Sequence, residues 1–356
     1  VQSAQVYKPV PELLREQGSA AARVEWLGRM RLLPVHDLLY RRGLLDKSLN
    51  VACDAFFDTC TRHMAAVEAE ELRVASGFNG STVRALYIKG AHLARAIYPS
   101  PAQRLRSDLD ILVCPQELDR ARPTLEGLGY RCCDAAVARS SFSNQEQWSV
   151  QRGAGAFAVD LHWKPRSHPL LAAALAFEDV WQRGYRLDAL AGARVAGLGD
   201  ELLLSAMHWI DLPVDQAPCL VWLLDQQLLW EAMDDRQQQQ SMRVAVAAGV
   251  ASVLGYGLRQ AAIAFAGDAD SPAIERLNQL GRGERARRLI GASRTPVSRS
   301  WSRISSAKGL VPKFRHLTRT LFPPAEYMRR IYPDGSRLGL PGLYVQRLFA
   351  RLFPGR

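Results

Sequence analysis

The sequence has no apolar run long enough to span a bilayer, and its beginning shows no basic stretch followed by an apolar one. A membrane helix needs about 20 predominantly apolar residues and a secretory leader needs that two-part pattern, so the chain reads as a soluble cytoplasmic protein. Cysteine is sparse. Cys53, Cys60, Cys114, Cys132, Cys133 and Cys219 show no zinc-type pairing, and the adjacent Cys132 and Cys133 make poor disulfide partners. A zinc centre and a disulfide scaffold therefore drop out, and the thiols read as reduced and mostly structural. Internal repeats are not apparent.

What is present is a chain of 356 residues, 48% of them hydrophobic, which is enough for two or three domains with real cores. Its net charge of +11 is unevenly placed: from Ser271 to Arg356 there are 18 Lys and Arg against 4 Asp and Glu, leaving 28 against 31 for the first 270 residues. A basic tail of this kind suits nucleic acid, a nucleotide's phosphates or an acidic protein. Few aromatics lie among its arginines to stack on bases, and no RNA-binding motif is evident, so a nucleic-acid partner ranks behind the others.

From about Pro11 to Gly77 the chain reads as helices. The series Leu49, Cys53, Phe56, Cys60, Met64 and Val67 steps by three and four, which predicts one apolar stripe on one helix face. Pro34 is expected to end a helix, with His36 packing or capping just beyond it. After the turn signal Gly77-Phe78-Asn79-Gly80, the run Ala85-Leu86-Tyr87-Ile88 reads as a buried strand that delivers Lys89-Gly90 into a helix beginning near His92. Such a corner can bring backbone N–H groups and a lysine close to a phosphate.

The next strand carries the chemistry. In Arg104-Leu105-Arg106-Ser107-Asp108-Leu109-Asp110-Ile111-Leu112-Val113, Asp108 and Asp110 leave the same strand face. Adjacent carboxylates repel and raise each other's pKa unless a cation lies between them. Hard oxygen ligands of this kind suit Mg²⁺. A helix over Pro115 to Leu128, a strand from Tyr130, and a strand Ala156 to Trp163 follow. That last strand holds Asp160 in its apolar middle, with His162 on the same face. Three acids of this kind can serve two ions about 3.5–4 Å apart in phosphoryl or nucleotidyl transfer.

With these motifs the chain resembles the nucleotidyltransferase superfamily built on the DNA polymerase β-like core. More narrowly it resembles the uncharacterised bacterial nucleotidyltransferases, through Ile88-Lys89-Gly90, Arg104 to Val113 and Val159 to Trp163. The likeness extends through His208-Trp209 and Trp222-Leu223-Leu224-Asp225 to Leu321-Phe322-Pro323-Pro324. The resemblance implies an α+β fold, with a small mixed β-sheet core at 78–190 between an N-terminal helical region at 1–77 and a C-terminal helical region at 191–356. It implies Mg²⁺-dependent transfer of an NMP from an NTP to an acceptor, with Mn²⁺ as the alternative ion and pyrophosphate as the by-product.

Asp108, Asp110 and Asp160 would then be both metal ligands and catalytic residues, and Lys89, Gly90 and His92 would face the triphosphate. Arg104 and Arg106 would either meet phosphate or product carboxylates, or neutralise the acidic cluster. His162 would orient substrate, take a proton or bond a carboxylate. The acceptor stays open among peptide or protein, saccharide and small molecule. One departure stands out: the corner reads Gly90-Ala91-His92, where superfamily enzymes have Gly-Gly or Gly-Ser, and Ala91 offers no hydroxyl. The rival reading is a catalytically inactive nucleotide-binding or scaffold protein on the same fold.

Beyond the core, Asp200 is expected to cap a helix over Glu201 to Ile210. Asp225 should pair with His208 or an arginine. Gln237 to Gln240 should form an exposed helix end or loop, Met242 to Phe265 a helix whose Gly249, Gly255 and Gly257 point to close packing with a neighbour or a break, and Arg282 to Lys308 a mobile loop.

Overall fold

The computed structural model describes residues 8–133, 144–153, 155–211, 219–265, 267–290, 302–306, 309–322, 325, 328–329, 332 and 339–352. It is mixed α+β, a seven-stranded sheet among the described residues flanked by helices on both chain sides. Four N-terminal helices, α1 (Val10–Glu16), α2 (Ala20–Arg29), α3 (His36–Arg41) and α4 (Lys47–Asn79), precede the sheet. The long α4 starts at Asp46, whose carboxylate accepts the Leu49 N–H at 2.8 Å. Its expected stripe is interrupted. Leu49, Cys53 and Met64 are buried, but Phe56 is 50% exposed. The helix is long enough to join two cores: Leu49 and Cys53 pack among the N-terminal helices, whereas Val74, Ala75 and Phe78 pack on the sheet, and Phe56 lies on the span between them.

The strands are β1 (Ala85–Ile88), β2 (Asp108–Val113), β3 (Arg131–Cys132), β4 (Gln145–Arg152), β5 (Gly155–His162), β6 (Tyr185–Leu187) and β7 (Ala193–Val195), in the spatial order β3-β4-β5-β2-β1-β7-β6. β1 runs antiparallel to β2, while β2 and β5 are parallel. The sheet thus continues to Val195, past residue 190 where the sequence reading ended the core; β7 is too short to carry a strand signal of its own. Alternation divides the faces. Leu109, Ile111, Val113, Val159 and Leu161 pack toward α4 and α6 (Leu118–Gly127), so Asp108, Asp110, Asp160 and His162 belong to the opposite face. That face is where the C-terminal helices lie, with Leu86, Ile88 and Leu112 sharing a core with Leu203 and Met207.

Those helices are α9 (Leu198–Ile210), α10 (Val221–Ala232), α11 (Asp235–Ala247) and α12 (Ala251–Phe265), following the short α5 (Gly90–Ala96), α7 (Pro169–Ala172) and α8 (Phe177–Arg183). Several details differ from the sequence reading. Asp200 does not cap α9; the helix begins three residues earlier after Gly197, and Asp200 pairs with Arg183 at 2.8 Å. Gln237 to Gln240 lie inside α11, which Asp234 starts with a capping box. The expected Met242–Phe265 helix is split in two at Gly249, whose φ of +68° favours glycine. Arg285–Leu289 is a 3₁₀ turn and residues 302–306 are helical, while the rest of the proposed mobile loop at 291–301 and 307–308 lies outside the described residues. Pro323 and Pro324 lie outside them as well. No helix among the described residues is long and apolar enough to cross a membrane.

Candidate active site

β2 and β5 align in parallel so that Asp110 pairs with Asp160, Leu112 with His162 and Asp108 with Ala158. The register sets two acids side by side on one face, under the C-terminal helices, in a cavity of about 410 Å³. One ligand atom each from Asp110, Asp160 and His162 lies within 4.8 Å of the others. Asp108 lines the same cavity but stands outside this group. Its strand partner is an alanine, and it sits two residues, roughly 6.5 Å, further along β2. Asp110, Asp160 and His162 thus form a tight cluster on this face, with Asp108 beside it on the cavity wall.

The electrostatics are those of crowded acids. Burial pushes the Asp160 carboxyl up to about 7, and Asp110 and Asp108 add to the push. Burial and Asp110 also raise Asp108. Asp110 goes the other way: burial opposes its ionisation, but the Lys89 ammonium at 2.6 Å and the His162 ring at 2.7 Å overcome it and hold it well below the usual carboxylate range. Burial, with the Lys89 charge beside it, pushes His162 down to about 4. The ring is thus neutral at pH 7, and its Nε2–H donates to Asp110 while Nδ1 faces the Asn144 amide at 3.5 Å.

The carboxylates of Asp110 and Asp160, with Asp108 beside them, make an oxygen set that suits a hard divalent cation, and the His162 ring is held on Asp110 next to them. One atom tests that fit. Asp160 Oδ2 accepts from Gln145 Nε2 at 2.6 Å, but the buried Oδ1 has no hydrogen-bond partner among the described residues. A buried carboxylate oxygen without a donor is costly, and a cation would satisfy it. The residues present fit such an ion.

The corner is built differently from a free phosphate cradle. Lys89 itself makes the turn, with φ +56°, and its side chain joins Asp110. Its backbone N–H donates to both oxygens of Glu201, on α9, at 2.9 and 3.0 Å. His92 is fully buried: Nδ1 donates to Glu201 Oε1 at 3.0 Å, and Nε2 meets the Tyr185 hydroxyl at 3.0 Å. Gly90 borders the cavity, but a Cβ there would lie 3.2 Å from Arg106 Cβ, so its lack of a side chain makes room for Arg106.

Both strand-leading arginines are committed to carboxylates. Arg104 binds Asp225 of α10 through Nε and Nη2 at 2.8 and 2.7 Å, and the Tyr98 hydroxyl donates to the same acid at 2.7 Å. Arg106 binds Glu71 of α4 at 2.5 and 2.8 Å. They neutralise acids, but those of the flanking helices rather than the Asp108–Asp110 pair. Sequence reasoning foresaw an arginine for Asp225 but missed Glu71, Glu201, Asn144 and Gln145. Glu201 carried one unread signal, a second acid beside Asp200 at the start of the otherwise apolar α9. The remaining wall includes His208, whose Nδ1 accepts from Arg166 at 2.7 Å and whose burial holds it well below its ordinary pKa, and Trp222, edge-on to it at 4.3 Å.

Compared with known proteins, residues 34–266, more than half of the chain, match the model of a family described as uncharacterised nucleotidyltransferase. No curated protein matches.

Proposed function

This chain belongs to the uncharacterised nucleotidyltransferase family, and from that premise we propose that it moves an NMP from an NTP to an acceptor hydroxyl or other nucleophile in the cytoplasm, releasing pyrophosphate. The observation that carries the reading is the β2–β5 register, which sets Asp110 against Asp160 in the cavity wall with Asp108 one step away. Asp108 and Asp110 would hold two Mg²⁺ ions, or Mn²⁺, and Asp160 would share the ion nearer the acceptor. Bound ions of this kind neutralise phosphate charge and make an acceptor oxygen more nucleophilic. The chain's own groups prepare the site: His162 fixes one oxygen of Asp110, Gln145 orients Asp160, and Ser205, His208, Trp222 and Asp225 of α9 and α10 wall the cavity. The acceptor atom would bond to the α-phosphorus as the bond to the bridging oxygen breaks, its proton passing to solvent and pyrophosphate departing. Peptide or protein, saccharide and small-molecule acceptors all remain compatible with this chemistry.

The test is to offer each α-labelled NTP with Mg²⁺ and cell extract, then identify what becomes labelled. Transfer by the wild type that Asp108→Asn and Asp110→Asn abolish, with the fold intact by circular dichroism, supports the reading; transfer unchanged in both variants sinks it. A second reading, a nucleotide-binding protein without catalysis, is favoured by Glu201 occupying the Lys89 N–H and by the missing hydroxyl at Ala91. NTP and Mg²⁺ binding without pyrophosphate release from any acceptor would favour it.

A further inference from the structure

A polyphosphate entering this cavity needs cations, and most of those on its wall are taken. Lys89 holds Asp110, Arg104 holds Asp225, Arg106 holds Glu71, Arg166 lies 3.4 Å from Asp211, and Arg303 donates to the Ser167 hydroxyl at 2.8 Å. The corner's Lys89 N–H is taken by Glu201, and Ala91 is buried without a hydroxyl to offer. Arg31 is different. It lines the same cavity, is half-buried, and its guanidinium meets no carboxylate among the described residues.

The backbone at Arg31 adds an independent observation. α2 ends in a Schellman motif, with Arg31 N–H donating to Gly28 O at 3.0 Å and Leu32 N–H to Leu27 O at 2.8 Å. The first residue past such a helix end is left-handed, a position that glycine normally fills, and Arg31 adopts it at φ +57°. The turn is pinned from outside as well: the Met30 carbonyl accepts from the Val221 N–H at 3.3 Å and from Cys219 Sγ at 3.2 Å. A residue that costs backbone energy is thereby held at the start of α10, where it lines the cavity. Its charge is felt at Asp108, where it opposes the upward push of burial.

We propose that Arg31 forms an anion subsite for the polyphosphate tail of the nucleotide, supplied by the N-terminal helical region in place of the missing corner hydroxyl. The inference rests on the transferase reading only for the identity of the ligand. A guanidinium suits the role because its planar fork binds phosphate oxygens in pairs. Arg31 also lies outside the family-matched span of 34–266.

Titration calorimetry of inorganic tripolyphosphate with Mg²⁺ tests it without assuming a base. Wild type should bind, Arg31→Gly should bind roughly ten- to a hundredfold more weakly, and Arg31→Lys should fall between. Arg31→Gly should also fold at least as well as wild type by thermal melting, because glycine relieves the left-handed strain. Equal tripolyphosphate affinity in wild type and Arg31→Gly, or no binding by wild type, overturns the subsite. Arg31-dependent binding in a protein that transfers no NMP would support the subsite while sinking the transferase reading. NMP transfer with an NTP KM indifferent to Arg31→Gly would do the reverse.

Discussion

Lys89 Nζ lies 2.6 Å from Asp110 Oδ1, so the lysine of the glycine corner is spent on the acidic strand. The same oxygen accepts from His162 Nε2 at 2.7 Å. An ammonium and a divalent ion that seek one carboxylate oxygen exclude each other. Lys89→Met should therefore bind Mn²⁺ several-fold more tightly than wild type in a calorimetric titration, since the competing charge is gone. Unchanged or weaker affinity would show that lysine and ion do not compete for Asp110.

The raised carboxyl of Asp160 predicts a pH effect of definite sign. Its folded pKa, about 7, exceeds the ordinary 3.8, so between those values the folded chain keeps a proton that the unfolded chain gives up. The metal-free protein accordingly loses stability as pH rises toward 7, and the loss is complete above it. Asp160→Asn cannot ionise, so it should stabilise the metal-free protein more at pH 8 than at pH 5. Comparing urea midpoints of the two proteins at each pH cancels the contributions of other groups; a pH-independent difference would refute the assignment.

The Arg104–Asp225 pair joins the approach to β2 to α10, and both side chains are buried. Removing one partner strands the other charge, which costs about 3–5 kcal/mol. Asp225→Ala should lower the urea midpoint accordingly. The double variant Arg104→Met with Asp225→Leu should recover much of the loss, because neither buried charge then remains. Failure of the double variant to recover would mean that the Tyr98 hydroxyl bond to Asp225 dominates.

Gly90→Ala probes the corner's packing. The new Cβ would lie 3.2 Å from Arg106 Cβ and 3.3 Å from its Cδ, and Arg106 is clamped by Glu71. The neighbour has little room to give, so a destabilisation of about 1–3 kcal/mol is expected from overpacking. Thermal melting without ligand reads it directly; an unchanged midpoint would mean that the Arg106 clamp yields.

Local pattern carried much of this protein. Alternation along Asp108–Val113 and Ala156–Trp163 was enough to place Asp108, Asp110, Asp160 and His162 on strand faces, because side-chain direction in a strand depends on the residue's own position. Helical spacing located α4, and Gly249 marked a real break for the same local reason.

Tertiary structure decided which of those groups meet. Asp110 stands beside Asp160, and Asp108 beside Ala158, only through the register of two parallel strands separated in the chain by α6, β3 and β4. Glu71, Glu201 and Asp225 come from helices far from β2 in the chain, yet they claim Arg106, the Lys89 N–H and Arg104. Arg31 reaches the cavity wall because α2 ends in a left-handed turn held against the start of α10. The sequence by itself determined the acids and the strands that carry them, since both follow from short-range periodicity. The partners of each charge depended on long-range packing, where burial forces every ion to find a counter-charge and no local pattern says which one.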